Sequence, residues 1–379
     1  MYLKQLQILN FKNLAEENFE FIPGVNLLLG HNGQGKTNVL DAIHYLSLCK
    51  SCFNPVDSQN ITHNEAFFVI QGQFEHDTAV TEIYCGQKRG QKKAFKKNKK
   101  EYEKLADHIG MFPLVIVSPA DSDLVNEGSA TRRKFIDSII SQFDKQYLEY
   151  LIAYNKVIEQ RNSLFRFGKG KVVNTDLVEV YNQQLSPLGQ KIYEKRKQFL
   201  ADFTPWFNMY FSGISNVENE KVELHYQSKL HDNTLENLLA MSFDQDRFLE
   251  YTTHGIHKDD IELKLNGYPV KKYGSQGQQK SFVIALKMAQ HAFIKHVKGF
   301  SPLLLLDDIF DKLDTNRVNY LIQLVTKKDF GQVFITDTDL EKTPQLLAQN
   351  HVEANVMQIQ NGKKTTISST MGISNMEIS

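Results

Sequence analysis

The sequence predicts an α/β fold that is interrupted by a helical insertion. Two almost wholly apolar runs, Val25–Leu29 and Leu303–Leu306, have the length and composition of strands that are buried on both faces of a sheet. Between them the pattern from Thr131 to about Phe211 is helical, with amphipathic segments at Lys145–Phe167 and Thr175–Phe203. We therefore expect an α/β part, a helical lobe and a return to α/β.

The remaining elements follow from local patterns. Glycines in the stretch GKGKVVN indicate a turn between the two long helical segments, so we expect a short antiparallel helical hairpin whose second helix is kinked at Pro187. The expected division is 1–118, 119–274 and 275–379. Further strands are predicted at Tyr2–Leu9, Glu17–Phe21, Phe67–Phe74, Thr78–Cys85, Leu114–Val117, Ile261–Leu265, Gln332–Thr336 and twice at the C-terminus. Further helices are predicted from Lys36 to about Leu48, from Ser275 to about Lys295, at Thr315–Lys327 and near Leu340–Gln349.

Composition narrows the class of protein. The 379 residues suffice for one large or two ordinary domains, and 44 basic residues balance 44 acidic ones. Any argument for nucleic-acid binding must therefore rest on local charge. Three cysteines do not build a disulfide framework. Without an 18-residue apolar run or a signal-peptide pattern, we expect a cytoplasmic protein that does not associate with membranes.

A glycine-rich loop follows the first buried strand. Residues 30–37 fit the pattern G-x-x-x-x-G-K-[ST], with a strand before and a helix after, which disfavours a chance glycine turn. Backbone N–H groups and a helix N-terminus can bind phosphate there, Lys36 can neutralise it, and the Thr37 hydroxyl can ligate Mg²⁺. The loop alone leaves ATP and GTP open. The candidate nucleotide-binding residues are Gly30, His31, Asn32, Gly33, Gln34, Gly35, Lys36, Thr37 and Asn38.

Two acidic residues end the second buried strand. Asp307 follows Leu303–Leu306, at the edge where α/β sheets bind ligands, and is expected to hold Mg²⁺. Asp308 is the candidate to position or deprotonate the attacking water. By itself this pattern also fits a strand that runs into a solvated turn. Lys36, Asp307 and Asp308 are therefore the predicted catalytic residues.

The segment around Ser275 resembles a family signature. Ser275-Gln276-Gly277-Gln278-Gln279-Lys280 is similar to the signature motif of ABC-type ATPases in the form carried by the RecF family of bacterial DNA repair proteins. The chain has Ile256 and Lys258 where that family is expected to have proline and arginine. It has Thr336-Asp337 where ABC proteins often carry a histidine. Further similar stretches, in the family's order, are Leu9–Asn13, Ser118–Asp121, Arg132–Asp137, Thr253–Asp260 and Leu313-Asp314.

The resemblance implies an ATPase head of the ABC/SMC type without long coiled coils. Two copies would close around two ATP molecules. Lys12 and Asn13 would lie near the nucleotide, and Asp314 of the D-loop would connect the two sites. The signature residues that would meet the other copy's ATP are Ser275, Gln276, Gly277 and Gln278.

The resemblance also implies a role in recombinational repair and at replication forks. An ATP-dependent homodimer would bind single-stranded and gapped double-stranded DNA and act with RecO- and RecR-like mediator proteins in loading a recombinase. Slow, DNA-stimulated ATP hydrolysis would reset it. An SMC-like or OLD-like ATPase with another role in DNA metabolism is the alternative. A transport ATPase would instead carry an LSGGQ-type signature and a glutamate at position 308.

Lys88–Lys100 carries eight basic residues and no acid. Such a run can follow a DNA backbone or form a solvated hairpin. The candidate DNA contacts are Lys92, Lys93, Lys96 and Lys97.

Two clusters invite a metal interpretation that we do not favour. Cys49 and Cys52 lack a second pair, and the resemblance accounts for His254, His257, Asp259 and Asp260. Arg132 and Arg133 either bind phosphates or join helices through carboxylates; the sequence leaves both open.

Overall fold

A computed structural model describes residues 1–167, 173–215, 220–310 and 314–366. Within these ranges the chain forms fifteen strands and eleven α-helices. Strands β1 to β15 are Tyr2–Phe11, Leu14–Glu20, Val25–Leu29, Phe67–His76, Ala79–Lys88, Ala94–Lys97, Lys100–Glu101, Leu114–Val117, Val222–Gln227, Asp260–Leu265, Tyr268–Pro269, Leu303–Asp307, Val333–Asp337, Ala354–Gln360 and Lys363–Thr366. Helices α1 to α11 are Lys36–Leu48, Asp123–Asn126, Ser129–Phe143, Lys145–Phe167, Thr175–Ser215, Leu235–Met241, Phe243–Leu249, Val270–Tyr273, Gln276–Lys298, Thr315–Val325 and Lys342–Gln349.

The chain divides into two compact units. Unit 1 comprises Met1–Asp121, Gly213–Ser215 and Lys287–Ser379, and unit 2 comprises Ser122–Ser212 and Asn216–Leu286. None of the described helices is long and apolar enough to cross a membrane.

Unit 1 contains two six-stranded sheets. The first is antiparallel, in the order β2-β1-β4-β5-β6-β7. In the second, β14-β3-β13-β12-β8 are parallel and β15 adds an antiparallel edge. Apolar side chains of both sheets and of α1 form one buried cluster, which includes Leu3, Phe68, Leu28, Leu305 and Phe334. In the parallel sheet, β13 lies between β3 and β12, so the carboxyl ends of all three strands meet at one edge.

Unit 2 contains the predicted helical hairpin. Arg161 on α4 donates a 2.9 Å hydrogen bond to Asn182 on α5, and Arg196 on α5 donates a 3.1 Å bond to Tyr147 on α4. As residue numbers fall along α4 they rise along α5, so the two helices are antiparallel, as expected. The turn at residues 168–172 lies outside the described residues.

Several features of the chain between Ser122 and Leu286 differ from the expectation or were not anticipated. Helix α5 continues past Phe203 to Ser215 because Phe207, Phe211 and Ile214 extend its buried apolar face. Strand β9 was not predicted; it pairs with β10 in a three-stranded sheet completed by β11. The short helices α6 and α7 were not predicted either.

The expected division at residue 275 differs from the division in the structure. The boundary falls inside α9, with its residues up to Leu286 in unit 2 and those from Lys287 in unit 1. The helix runs without a proline or glycine break at this point, so the sequence contains no linker signal there. The earlier boundary, expected at 118, lies at Asp121.

Candidate functional site

The phosphate loop lies where the fully buried strand β3 meets helix α1. Gly35 forms the N-cap of α1 with φ of 112°, a left-handed conformation that favours glycine. A Cβ at this position would also lie 2.9 Å from Asn13 Oδ1. The Lys36 side chain is buried, and its Nζ donates to Gly30 O at 2.7 Å and to His31 O at 3.2 Å. The lysine ammonium is therefore held against the first residues of the loop.

Asp307 is brought directly to this loop. The Thr37 hydroxyl, in the first turn of α1, donates to Asp307 Oδ1 at 2.8 Å. A hydroxyl from α1 and a carboxylate from β12 therefore lie within hydrogen-bonding distance of each other. Oxygen ligands of this kind suit Mg²⁺. Burial raises the pKa of Asp307 above its usual range, while hydrogen bonds from Thr37 and Thr336 and the charge of Lys36 act in the opposite direction.

Thr336 is a site residue that sequence reasoning did not identify. Its hydroxyl donates to Asp307 Oδ1 at 2.9 Å and accepts from the backbone N–H of Asp308 at 3.0 Å. The contact follows from the parallel register of β12 and β13, which pairs Asp307 with Thr336. The sequence analysis considers this position only because ABC proteins often carry a histidine there, which this chain lacks. The sequence signal for Thr336 is that a polar residue lies near the end of a third buried strand.

Asp308 lies one residue beyond β12 in a left-handed conformation, with φ of 46°. A non-glycine residue is uncommon in this region, and such residues concentrate at functional sites. The turn directs the chain out of the sheet at the edge that also carries the phosphate loop.

Lys12 and Asn13 differ in their partners. Asn13 donates to Gly33 O at 3.3 Å and accepts from Asn38 Nδ2 at 2.7 Å, which places both asparagines at the phosphate loop. Lys12 instead forms a 2.6 Å ion pair with Asp41, a fully buried residue on α1. Asp41, which the sequence analysis did not single out, also accepts hydrogen bonds from Ser51 and Cys52.

A cleft of about 630 Å³ opens beside these residues. Its lining is polar apart from one isoleucine, and comprises Lys12, Asn13, Asn38, Asn54, Ser58, Gln59, Ile61, His63 and Arg89. Amides and hydroxyls of this kind can hydrogen-bond a ribose and a base that extend from the phosphate loop.

The signature segment lies in unit 2 at the start of α9. The Ser275 hydroxyl accepts from Gln278 N at 3.2 Å, and Gln278 Oε1 accepts from Ser275 N at 2.8 Å. This reciprocal capping box holds the helix start in one conformation. Gln278 is further tied to Glu220 at 2.7 Å, whereas Ser275 and Gln276 are exposed.

Asp314 caps helix α10. Its carboxylate accepts from the Arg317 backbone at 3.1 Å and from the Arg317 guanidinium at 2.7 Å. The backbone hydrogen bond, followed by the arginine charge, lowers the pKa of Asp314. The preceding D-loop residue, Leu313, lies outside the described residues.

The basic segment separates into internal and surface lysines. Lys92 is exposed, and Lys96 lies over the ring of Tyr84. Lys93 turns inward, where its Nζ bonds Asp57 at 2.9 Å and Cys49 O at 2.6 Å. Because its ammonium is used inside unit 1, we withdraw Lys93 as a DNA contact.

The histidine and aspartate side chains that suggested metal ligands have partners within the protein. Among the residues that the structure describes, no group of three or more His, Cys, Asp or Glu side chains could hold a metal ion. His257 bonds Tyr154 and the Thr252 carbonyl instead.

Arg132 forms a two-point pair with Asp260, and Arg133 donates to the Asp259 carbonyl, so both arginines bind within unit 2.

Comparison with known proteins decides the family. The model of the RecF/RecN/SMC N-terminal domain matches residues 2–365. Over 352 residues the chain is 50% identical to the DNA replication and repair protein RecF of Flavobacterium johnsoniae, covering 93% of this chain and 98% of that protein. The chain belongs to the RecF family. The family expected from the signature segment is thereby confirmed.

Solved structures support the same conclusion. A structure of the recombination mediator RecF with ATP, from the RecFOR pathway, is 31% identical and superposes with a TM-score of 0.87, covering 97% of this chain and 98% of that one. An SMC head bound to the C-terminal winged-helix domain of ScpA is 15% identical, with a TM-score of 0.59 and 98% coverage of both chains. The second likeness bears on the fold alone. This RecF-family chain thus has the predicted ABC/SMC-head architecture.

Proposed function

We propose that this RecF-family chain is an ATP-dependent DNA-binding protein of replication and recombinational repair. The observation that carries the proposal is the 2.8 Å hydrogen bond between Thr37 and Asp307, which joins the phosphate loop to the acidic strand. Relatives at about half identity carry the name DNA replication and repair protein, and a similar solved RecF was determined with ATP.

ATP is proposed to bind with its phosphates in the loop at residues 30–37 and its nucleoside in the adjoining polar cleft. Lys36 would neutralise the β- and γ-phosphates. Thr37 and Asp307 would hold Mg²⁺, which supplies further charge neutralisation on the phosphates. Asp308 would position or deprotonate the attacking water.

Completion of the site is proposed to require a second copy of the chain. Ser275 and Gln276 lie exposed at the N-terminus of a 23-residue helix, where the positive end of the helix dipole favours an anion. The capping box presents Ser275 in a fixed geometry. The γ-phosphate of the other copy's ATP would be that anion, and Asp314 would connect the two sites.

DNA is the proposed ligand of the ATP-bound dimer. Lys92, Lys96 and Lys97 are the proposed phosphate contacts in unit 1, since an electrostatic surface provides most sequence-independent affinity. RecO- and RecR-like mediators are the proposed protein partners, in line with the RecFOR pathway to which the similar solved RecF is assigned.

A single substitution tests the nucleotide dependence. Lys36→Met removes the charge that faces the phosphates, so ATP hydrolysis and ATP-stimulated binding to gapped DNA should both fall to background. Lys197→Met, at an exposed position on α5, is the matched control and should behave like the wild type. Undiminished hydrolysis by Lys36→Met would reject the site assignment. If the wild type hydrolyses ATP normally but ATP does not change its affinity for DNA, only the proposed DNA-binding role would be rejected.

A further inference from the structure

The turn between β14 and β15 contacts the phosphate loop. Asn361 and Gly362 form a two-residue hairpin turn with φ of 51° and 74°, the left-handed pair that Asn-Gly sequences favour. Gly362 N donates to Gln34 O at 2.9 Å, and Asn361 N donates to Gln34 Oε1 at 2.5 Å. Both the backbone and the side chain of Gln34 are therefore held by this turn.

The approach is close enough to exclude side chains on both sides of it. A Cβ on Gly362, which is buried, would collide with the backbone carbonyl of Asn13. A Cβ on Gly30 would collide with the carbonyl of Ile359, near the end of β14. The hairpin thus packs against the start of the phosphate loop and against the segment that carries Asn13.

The geometry of the peptide bond gives these contacts a consequence. In a planar trans peptide the carbonyl and the following N–H point in opposite directions. When Gly362 binds the Gln34 carbonyl, the N–H of Gly35 is directed away from the turn. Asn13 holds the preceding carbonyl, that of Gly33, at 3.3 Å. The orientation of two consecutive peptide bonds of the phosphate loop is therefore fixed by residues outside the loop.

We infer that the Asn361–Gly362 turn is a positioning element for the phosphate loop. It directs the Gly35 N–H to a phosphate, so that nucleotide binding and the order of the β14–β15 hairpin are coupled. The coupling is reciprocal: a change in the turn weakens nucleotide binding, and a bound nucleotide stabilises the turn. This inference rests on the proposed nucleotide binding at this loop.

The chain contains a matched control. Asn266 and Gly267 form a second Asn-Gly turn, between β10 and β11, with φ of 51° and 80°. A Cβ on Gly267 meets nothing within 4 Å. Alanine therefore imposes similar backbone strain at Gly362 and Gly267, but a collision only at Gly362.

ADP titration by calorimetry measures the first direction of the coupling. ADP supplies phosphates for the loop and lacks the γ-phosphate proposed to join two copies. We expect Gly362→Ala to bind ADP about tenfold more weakly than the wild type, which corresponds to loss of about one well-placed hydrogen bond. Gly267→Ala should bind within about twofold of the wild type. Equal ADP affinity of the two variants would overturn the inference.

Hydrogen exchange on the wild-type protein measures the reverse direction and does not depend on any variant folding. Saturating ADP should slow amide exchange in residues 354–366, with no change in residues 260–268. Unchanged exchange in residues 354–366 would overturn the inference even if Gly362→Ala fails to fold. A wild type that binds neither ADP nor ATP would instead reject the proposed function.

Discussion

The hydroxyl of Thr336 donates a 2.9 Å hydrogen bond to the carboxylate of Asp307. Asp307 is buried at the end of β12, and burial raises its pKa because a carboxylate loses solvation there. The bond from Thr336 favours the charged form, as does the bond from Thr37. Since a magnesium ligand must be deprotonated, the hydrogen bond from Thr336 supports the role proposed for Asp307.

Replacing Thr336 by valine tests this relationship. The variant keeps the shape of the side chain but removes the donor to Asp307, so the pKa of Asp307 should rise further. We expect turnover of ATP at neutral pH to fall by about tenfold and the acid limb of the pH–rate profile to move to higher pH. Thr336→Ser retains the hydroxyl and should keep the wild-type profile. If the pH–rate profile of Thr336→Val superposes on that of the wild type, Thr336 does not affect the proposed metal site.

The lysines of residues 92–97 should separate into two phenotypes. Neutralising Lys92, Lys96 and Lys97 together should weaken DNA binding and reduce the slope of log affinity against log salt, by about 0.9 for each lost phosphate contact. The measurement is fluorescence anisotropy over a salt series. A salt slope equal to that of the wild type would show that these three lysines do not contact DNA and that the DNA-binding surface lies elsewhere.

Lys93→Met provides the contrast within the same segment. Loss of its bonds to Asp57 and the Cys49 carbonyl should lower the free energy of unfolding by about 1–2 kcal/mol and leave the salt slope unchanged. Urea unfolding checks the first effect, and the same anisotropy series checks the second. A reduced salt slope in Lys93→Met would restore Lys93 as a DNA contact.

Buried histidines should make unit 1 sensitive to acid. Burial lowers the pKa of His108 and of His291 from 6.5 to about 4, and both rings bind backbone carbonyls. Because the unfolded chain takes up these protons near pH 6.5, stability should be full above that pH and should fall as pH decreases toward 4. Urea midpoints measured at pH 7.5, 6 and 5 should decline in that order. His108→Gln should flatten the decline, and an unaltered pH dependence would exclude a contribution from His108.

The elements that the sequence predicted best are those with wholly apolar strands. The runs Val25–Leu29 and Leu114–Val117 have the predicted bounds because a strand buried on both faces has an unambiguous pattern. The polar partners of the site were harder to predict. The strand register that pairs Asp307 with Thr336 is not encoded in either local sequence.

Two basic residues show why charge alone does not assign a role. Lys12 lies in the predicted motif but pairs with the buried Asp41, and Lys93 lies in the basic run but pairs with Asp57. Both carboxylates lie more than 25 residues away along the chain, so the pairing depends on tertiary structure. The contact of the turn at Gly362 with Gln34 is likewise invisible to a local pattern.

Sedimentation velocity with and without ATP tests the central claim, that the nucleotide site is completed by a second copy of the chain. The wild type should change from monomer to dimer on addition of ATP and Mg²⁺, and gapped DNA should co-sediment with the dimer. Ser275→Arg should bind ATP but remain monomeric, because a bulky side chain at the exposed start of α9 would obstruct the other copy's phosphate. A normal ATP-dependent dimer formed by Ser275→Arg would contradict the account.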